Sequence, residues 1–133
     1  MARIPHWAAG LSALATARLA APFAWGTNDC ASFAADSILA ITGADGLAEL
    51  RGRRRTERAA RQQERAIGGL PAAIERAGFV PMPAALAQRG DLVMLAQGKR
   101  RVLAICMGEE ALAPGERGLE RASMRQAVAA WRV

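Results

Sequence analysis

What most narrows the fold lies late in the chain, where Leu92-Val93-Met94-Leu95-Ala96 and Arg101-Val102-Leu103-Ala104-Ile105-Cys106-Met107 flank a Gln97-Gly98-Lys99-Arg100 turn. Two apolar runs of strand length around a turn signal are the pattern of a β-hairpin. Neither run alternates apolar with polar. Successive strand side chains point to opposite faces of a sheet, so residues 102, 104 and 106 share one face and 103, 105 and 107 the other. Since both sets are apolar, both faces of this hairpin need a cover.

The preceding residues offer helices for that purpose. His6 to Ala21 reads as a first helix, with Trp7, Leu11, Leu14, Ala15, Arg18 and Leu19 at three-four spacing and Pro22 to end it. A second helix starts near Cys30, carries Phe33, Ala34, Ile38, Leu39 and Ile41 at helical spacing, and stops at Gly43, suited to a left-handed C-terminal cap. Ala44 to Leu50 reads as a loop turning at Asp45-Gly46. Thr56 is suited to cap a third helix running to Ile67, with Glu57/Arg61 and Arg61/Glu64 spaced for surface ion pairs. Leu70 to Ala77 makes a short fourth, with Pro71 in its first turn and Gly78 at its end. Phe79-Val80-Pro81 is extended, and Ala84 to Gln88 is a helical turn or loop. After the hairpin, Ala111–Ala113 and Leu119–Ala122 form a second hairpin around Pro114 to Gly118, and Met124 to Val133 ends the chain as a short helix or a last strand. Helices first and an antiparallel meander afterwards make an α+β domain.

At 133 residues the chain is expected to be one domain, residues 1–133. Ala supplies much of its 52% hydrophobic content, against three Phe, three Trp and no Tyr, so the core is expected to be rich in small residues and closely packed. The apolar run from Ala8 to Phe23 is broken by Gly10, Ser12, Thr16 and Arg18, and is read as neither a signal peptide nor a membrane span.

Chemistry concentrates in Trp25-Gly26-Thr27-Asn28-Asp29-Cys30. Asn28 is the expected N-cap, which makes Asp29 and Cys30 the first two helical residues. There the helix dipole favours thiolate, so Cys30 is a candidate nucleophile; the plainer alternative is a cysteine buried for packing. Cys30 and Cys106 form no metal-ligand or disulfide pattern, and His6 adds no ligand set, so neither a metal nor a cofactor is expected.

The formal charge is +6, from 18 basic and 12 acidic residues. The densest basic run, Arg51-Gly52-Arg53-Arg54-Arg55, has no aromatic residue between Ala34 and Phe79 to stack on bases. Arg51, Arg53, Arg54 and Arg55 are therefore read as a solvated or protein-docking surface, not as a specific nucleic-acid site.

Asp29-Cys30, then Arg89-Gly90-Asp91-Leu92-Val93, then Val102-Leu103-Ala104-Ile105-Cys106-Met107-Gly108 fall in an order that resembles the NlpC-type cysteine peptidases, papain-like murein hydrolases. The resemblance implies a papain-like α+β fold, its N-terminal helices packed on a C-terminal antiparallel β-meander, with Cys30 in the nucleophile's place. In active relatives a histidine opens the second core strand. Val102 stands there, and no histidine follows His6. Attack by a thiol on an amide needs a base for the thiol proton and an acid for the leaving amine, and valine is neither. Cys30 is thus read as a vestigial nucleophile.

Phe23 to Cys30, Thr42-Gly43-Ala44-Asp45 and Ala129-Ala130-Trp131-Arg132-Val133 look closer still to a small branch of the superfamily found among tail genes of bacteriophages and prophages. That likeness implies a structural or assembly protein of the tail, in contact with other tail proteins and oligomeric within an assembly. Its place would be the virion, and the host cytoplasm before assembly. Two alternatives stand beside it. One is an active murein hydrolase with His6 or an outside group as base; the other is a binder of acidic ligands or nucleic acid through the arginines.

Overall fold

Helices α1 (Trp7–Arg18) and α2 (Cys30–Thr42) lie antiparallel. The Ile4 N–H donates to the Ile41 carbonyl at one end of the pair, and Arg18 reaches Asn28 and Asp36 at the other. The protein is described here by a computed structural model covering residues 2–51 and 54–133. Most of α2 is buried, from Ala31 to Ala35 and at Ser37, Ile38, Ile41 and Thr42. Ser37 and Thr42 turn their hydroxyls back to the carbonyls of Phe33 and Ile38, so their polar atoms remain satisfied inside the core. Gly43 ends the helix with φ 76°, as its position in the sequence predicts.

A short 3-10 turn (Ala48–Leu50) leads to α3 (Glu57–Ala66), whose expected cap is in place: the Thr56 hydroxyl accepts from the Ala59 N–H. The Glu57–Arg61 pair forms as the spacing predicts, while Glu64 turns away to Arg54. Helix α4 (Leu70–Arg76) follows. The strands are β1 (Val80–Met82), β2 (Leu92–Gln97), β3 (Arg100–Cys106), β4 (Glu110–Gly115), β5 (Gly118–Ser123) and β6 (Ala127–Arg132). All pairings are antiparallel, in the order β1-β6-β2-β3-β4-β5. The meander therefore runs from β2 to β5 only. The end of the chain is a strand, after a 3-10 turn at Met124–Gln126, and it crosses back to slot between β1 and β2.

Both faces of the central hairpin are covered, as its unbroken apolarity requires. Leu92, Met94, Leu103 and Ile105 meet Phe33, Ile38, Leu50, Ile74 and Trp131 on the helical side. Val93, Leu95, Val102, Ala104 and Cys106 meet Ala111, Ala113 and Ala130 on the other. The second cluster is largely alanine and valine, and partly buried Met82, Ala84, Ala87 and Met124 pack against it. Cys30 packs against both clusters, at the seam between helices and sheet.

The two chain ends are tied together beside β2. Asp91 accepts from the Val133 and Gln88 N–H groups and from Arg3, which also donates to the Val133 and Arg89 carbonyls and lies over the Trp7 ring. Gly90 is required here: at φ 96°, a Cβ would come within 2.9 Å of the Trp7 ring.

Candidate functional site

The residue that caps α2 is Asp29, not Asn28. Its carboxylate accepts from the Ser32 N–H and hydroxyl on one oxygen, and from the Gly26 N–H and Arg54 Nε on the other. A charged acceptor suits the positive end of the helix better than an amide. Asn28 instead holds the preceding loop, donating to the Ala21 and Pro22 carbonyls and accepting from Arg18. Cys30 is therefore the first residue of the helix.

Arg54 does not lie on an exposed surface. It is 1% exposed, and its guanidinium binds Asp29 at 3.1 Å, Gln63 at 3.0 Å and Glu64 at 3.0 Å. Burial pulls its pKa down, but hydrogen bonds and charge from Glu64 and Asp29 outweigh that and hold it more firmly protonated than usual. Arg51 is also engaged, with Asp36 and Asp45. Arg55 is exposed, and Arg53 lies outside the described residues. A run that reads as one basic surface is divided, because carboxylates elsewhere in the chain engage two of its members.

Cys30 opens onto a cleft of about 1040 Å³ between the end of the sheet and α3. Val102, Ala111 and Ala113 form its sheet side, Glu57, Arg61 and Glu64 its α3 side, and Phe23 and Trp25 an edge-on aromatic pair at its wall. The loop carrying that pair is seated on the β4–β5 hairpin, through Phe23 N–H to the Gly115 carbonyl and Leu119 N–H to the Leu19 carbonyl. The Cys30 pKa is pushed above the ordinary thiol value of 9.0. Burial is the main cause, with the charges of Asp29 and Glu64 adding to it; the Leu103 backbone N–H and Arg54 pull the other way without prevailing. The net effect disfavours the thiolate, the form of a cysteine that acts as a nucleophile.

Val102 lies on β3 opposite Leu95 of β2, lines the cleft and is 9% exposed. Ala111 and Ala113, which line the same cleft from β4, are apolar as well. His6 is exposed at the start of α1, beside the C-terminal end of α2, while Cys30 begins that helix. Those ends are separated by roughly 18 Å of helix rise, so His6 does not reach the thiol. Cys106 is buried further along β3, and both cysteines are free. Among the described residues no cluster of three His, Cys, Asp or Glu side chains could hold a metal ion. No described helix is long and apolar enough to cross a membrane.

The family model described as "Domain of unknown function (DUF6950)" matches residues 2–133. This chain belongs to the DUF6950 family. No curated protein matches the DUF6950 chain. It is similar to the solved structure "Crystal structure of NlpC/p60 domain of peptidoglycan hydrolase SagA", with a TM-score of 0.60 and 23% identity over 94% of this chain and 97% of that one. The fold is thus the NlpC/p60 fold that the order of the sequence blocks implies.

The part of the site that the sequence did not reveal is the Arg54 tie. One signal pointed toward it: Asp29, a carboxylate at the start of an apolar helix, needs a cation once buried. Nothing in the arginine run says which member supplies it.

Proposed function

We propose that this DUF6950 protein is a catalytically degenerate NlpC/p60-type domain that docks partners in the Cys30 cleft, and that it serves as a structural or assembly component of a bacteriophage or prophage tail. The observation that carries the first part is the apolar set Val102, Ala111 and Ala113 beside a Cys30 thiol whose pKa is raised. Amide hydrolysis by a thiol needs a proton acceptor within hydrogen-bond reach, and a valine–alanine surface supplies none. The tail assignment rests on the likeness of Phe23 to Cys30, Thr42 to Asp45 and Ala129 to Val133 to that branch of the superfamily.

The test is the rate of Cys30 alkylation against pH in a Cys106→Ser background, together with incubation with murein peptides. Cys30 should alkylate slowly at neutral pH and accelerate only above the ordinary thiol range, with the peptides left intact. Val102→His should move the profile to lower pH by placing a proton acceptor beside the thiol. Peptide cleavage that Cys30→Ser abolishes would establish a hydrolase instead. Co-expression with neighbouring tail proteins tests the second part: the chain should co-purify with them, and recovery solely as free monomer would refute it.

A further inference from the structure

Lys99 in the β2–β3 turn and Arg100 and Arg101 at the start of β3 line the Cys30 cleft, all three exposed. None forms an ion pair within 4.0 Å among the described residues, and Arg101 donates only to the carbonyls of Gly98 and Arg100, at 3.4 and 3.3 Å. The other basic groups around the cleft are engaged: Arg54 with Asp29 and Glu64, Arg61 with Glu57, and Arg121 more loosely with Glu110 at 3.9 Å. Three adjacent like charges repel one another, and beside a low-dielectric wall their field is concentrated into the cleft. Apolar contact is available within reach of them. Trp25 is 36% exposed and braced edge-on by Phe23 at 4.7 Å, and Val102, 9% exposed, lines the sheet side.

We propose that the cleft receives an extended acidic segment of a partner protein, with its carboxylates on Lys99, Arg100 and Arg101 and an apolar side chain against Trp25 and Val102. Charge arrangement selects this occupant. Glu57, Glu64, Glu116 and Glu120 line the same cleft. A nucleic acid carries a phosphate at every nucleotide and would run onto them, whereas a peptide can gather its carboxylates at one end. An extended segment also enters a cleft that a folded surface cannot.

This inference rests on the cleft being a docking site and not a hydrolytic one. The probe is a fluorescein-labelled, end-blocked peptide of three Glu followed by Leu-Val-Leu, set against versions with Gln or Lys in place of Glu and against a short DNA duplex. Fluorescence anisotropy is read at about 0.15 M salt, where exposed charges are screened beyond roughly 8 Å. The Glu peptide should bind about tenfold more tightly than the Gln peptide, the scale of three modest exposed charge contacts together, and the Lys peptide should not bind. Arg100→Glu with Arg101→Glu, at exposed positions outside the core, should abolish this preference while leaving the circular dichroism spectrum unchanged. Trp25→Ala should weaken the Glu and Gln peptides alike. Equal binding of the Glu and Gln peptides, indifference to the double charge reversal, or displacement of the Glu peptide by duplex DNA would each overturn the proposal. The two failures are separable: Cys30-dependent cleavage of murein peptides removes the docking reading, while intact murein peptides with no preference for Glu remove only the acidic partner.

Discussion

Replacing Arg54 with alanine should be among the most damaging single changes in this protein, although Arg54 sits in what reads as a surface run. Its side chain is 2% exposed and that of Asp29 0%, so the substitution leaves a buried carboxylate without its cation and Gln63 and Glu64 without their donor. Removing one partner of a buried pair destabilises by about 3–5 kcal/mol. The lower end applies here, because Asp29 keeps the Gly26 N–H, the Ser32 N–H and the Ser32 hydroxyl. A loss of about 3 kcal/mol is a large share of the ~5–15 kcal/mol typical of a domain, and for a chain of this size it lowers Tm by roughly 10 °C. Urea unfolding followed by circular dichroism gives the number. Arg61→Ala, which breaks an exposed i,i+4 pair, should change stability by no more than about 0.5 kcal/mol. Asp29→Asn combined with Arg54→Met should recover part of the loss, because no uncompensated charge then remains buried. An Arg54→Ala protein within about 1 kcal/mol of the parent would refute the view that this tie holds the start of α2.

Stability should fall in alkali. Burial raises the pKa of both Cys30 and Cys106 above 9.0, so the folded state holds protons that the unfolded chain releases. The stabilisation is complete below the unfolded thiol pKa and is lost as pH rises from there through the folded values, with a slope of up to about 1.4 kcal/mol per pH unit for each thiol. Replacing both cysteines by Ala should flatten that part of the profile, and an unchanged decline would show another group responsible. Gly118→Ala should destabilise by about 2 kcal/mol or more, since Gly118 has φ 144° and a Cβ there would collide with the Leu19 carbonyl that seats the cleft wall. A urea midpoint equal to the parent's would mean the loop is not anchored at that point. Arg3→Ala should destabilise by about 1–3 kcal/mol through loss of the Asp91 and Val133 contacts, and hydrogen exchange at the Val133 N–H should rise more than in α2.

Much of the architecture was legible in local pattern. Apolar periodicity located α1 and α2, the Thr56 cap with its ion-pair spacing located α3, Pro71 and Gly78 bounded α4, and the unbroken runs on either side of Gln97 to Arg100 located a hairpin covered on both faces; Gly43 and Thr56 marked helix ends where they occur. These features depend on neighbours a few residues away, and each residue type suits one local geometry far better than another. The block order also carried the NlpC/p60 fold. The cap of α2 shows where local reasoning stops. Asn28 and Asp29 are both good caps in isolation, and the choice fell to Asp29 because Arg54, far along the chain, is folded in beside it while Asn28 is held by the carbonyls of Ala21 and Pro22.

The placement of β6 was likewise beyond sequence pattern. Its residues suit a strand in either of two positions, and tertiary structure sets it between β1 and β2 instead of beside β5, with Trp131 in the core and Val133 held by Asp91 and Arg3. The arginine run divided for the same reason. Arginines adjacent in sequence have the same intrinsic preferences, so local pattern cannot separate them; Asp29 drew Arg54 into the interior, Asp36 and Asp45 engaged Arg51 at the edge, and Arg55 was left in water. What the sequence by itself determined was most of the elements and the absence of any histidine after His6. Which charges meet, and what the Cys30 thiol faces, was decided by tertiary structure, because electrostatic pairing and desolvation depend on distance in space and not along the chain.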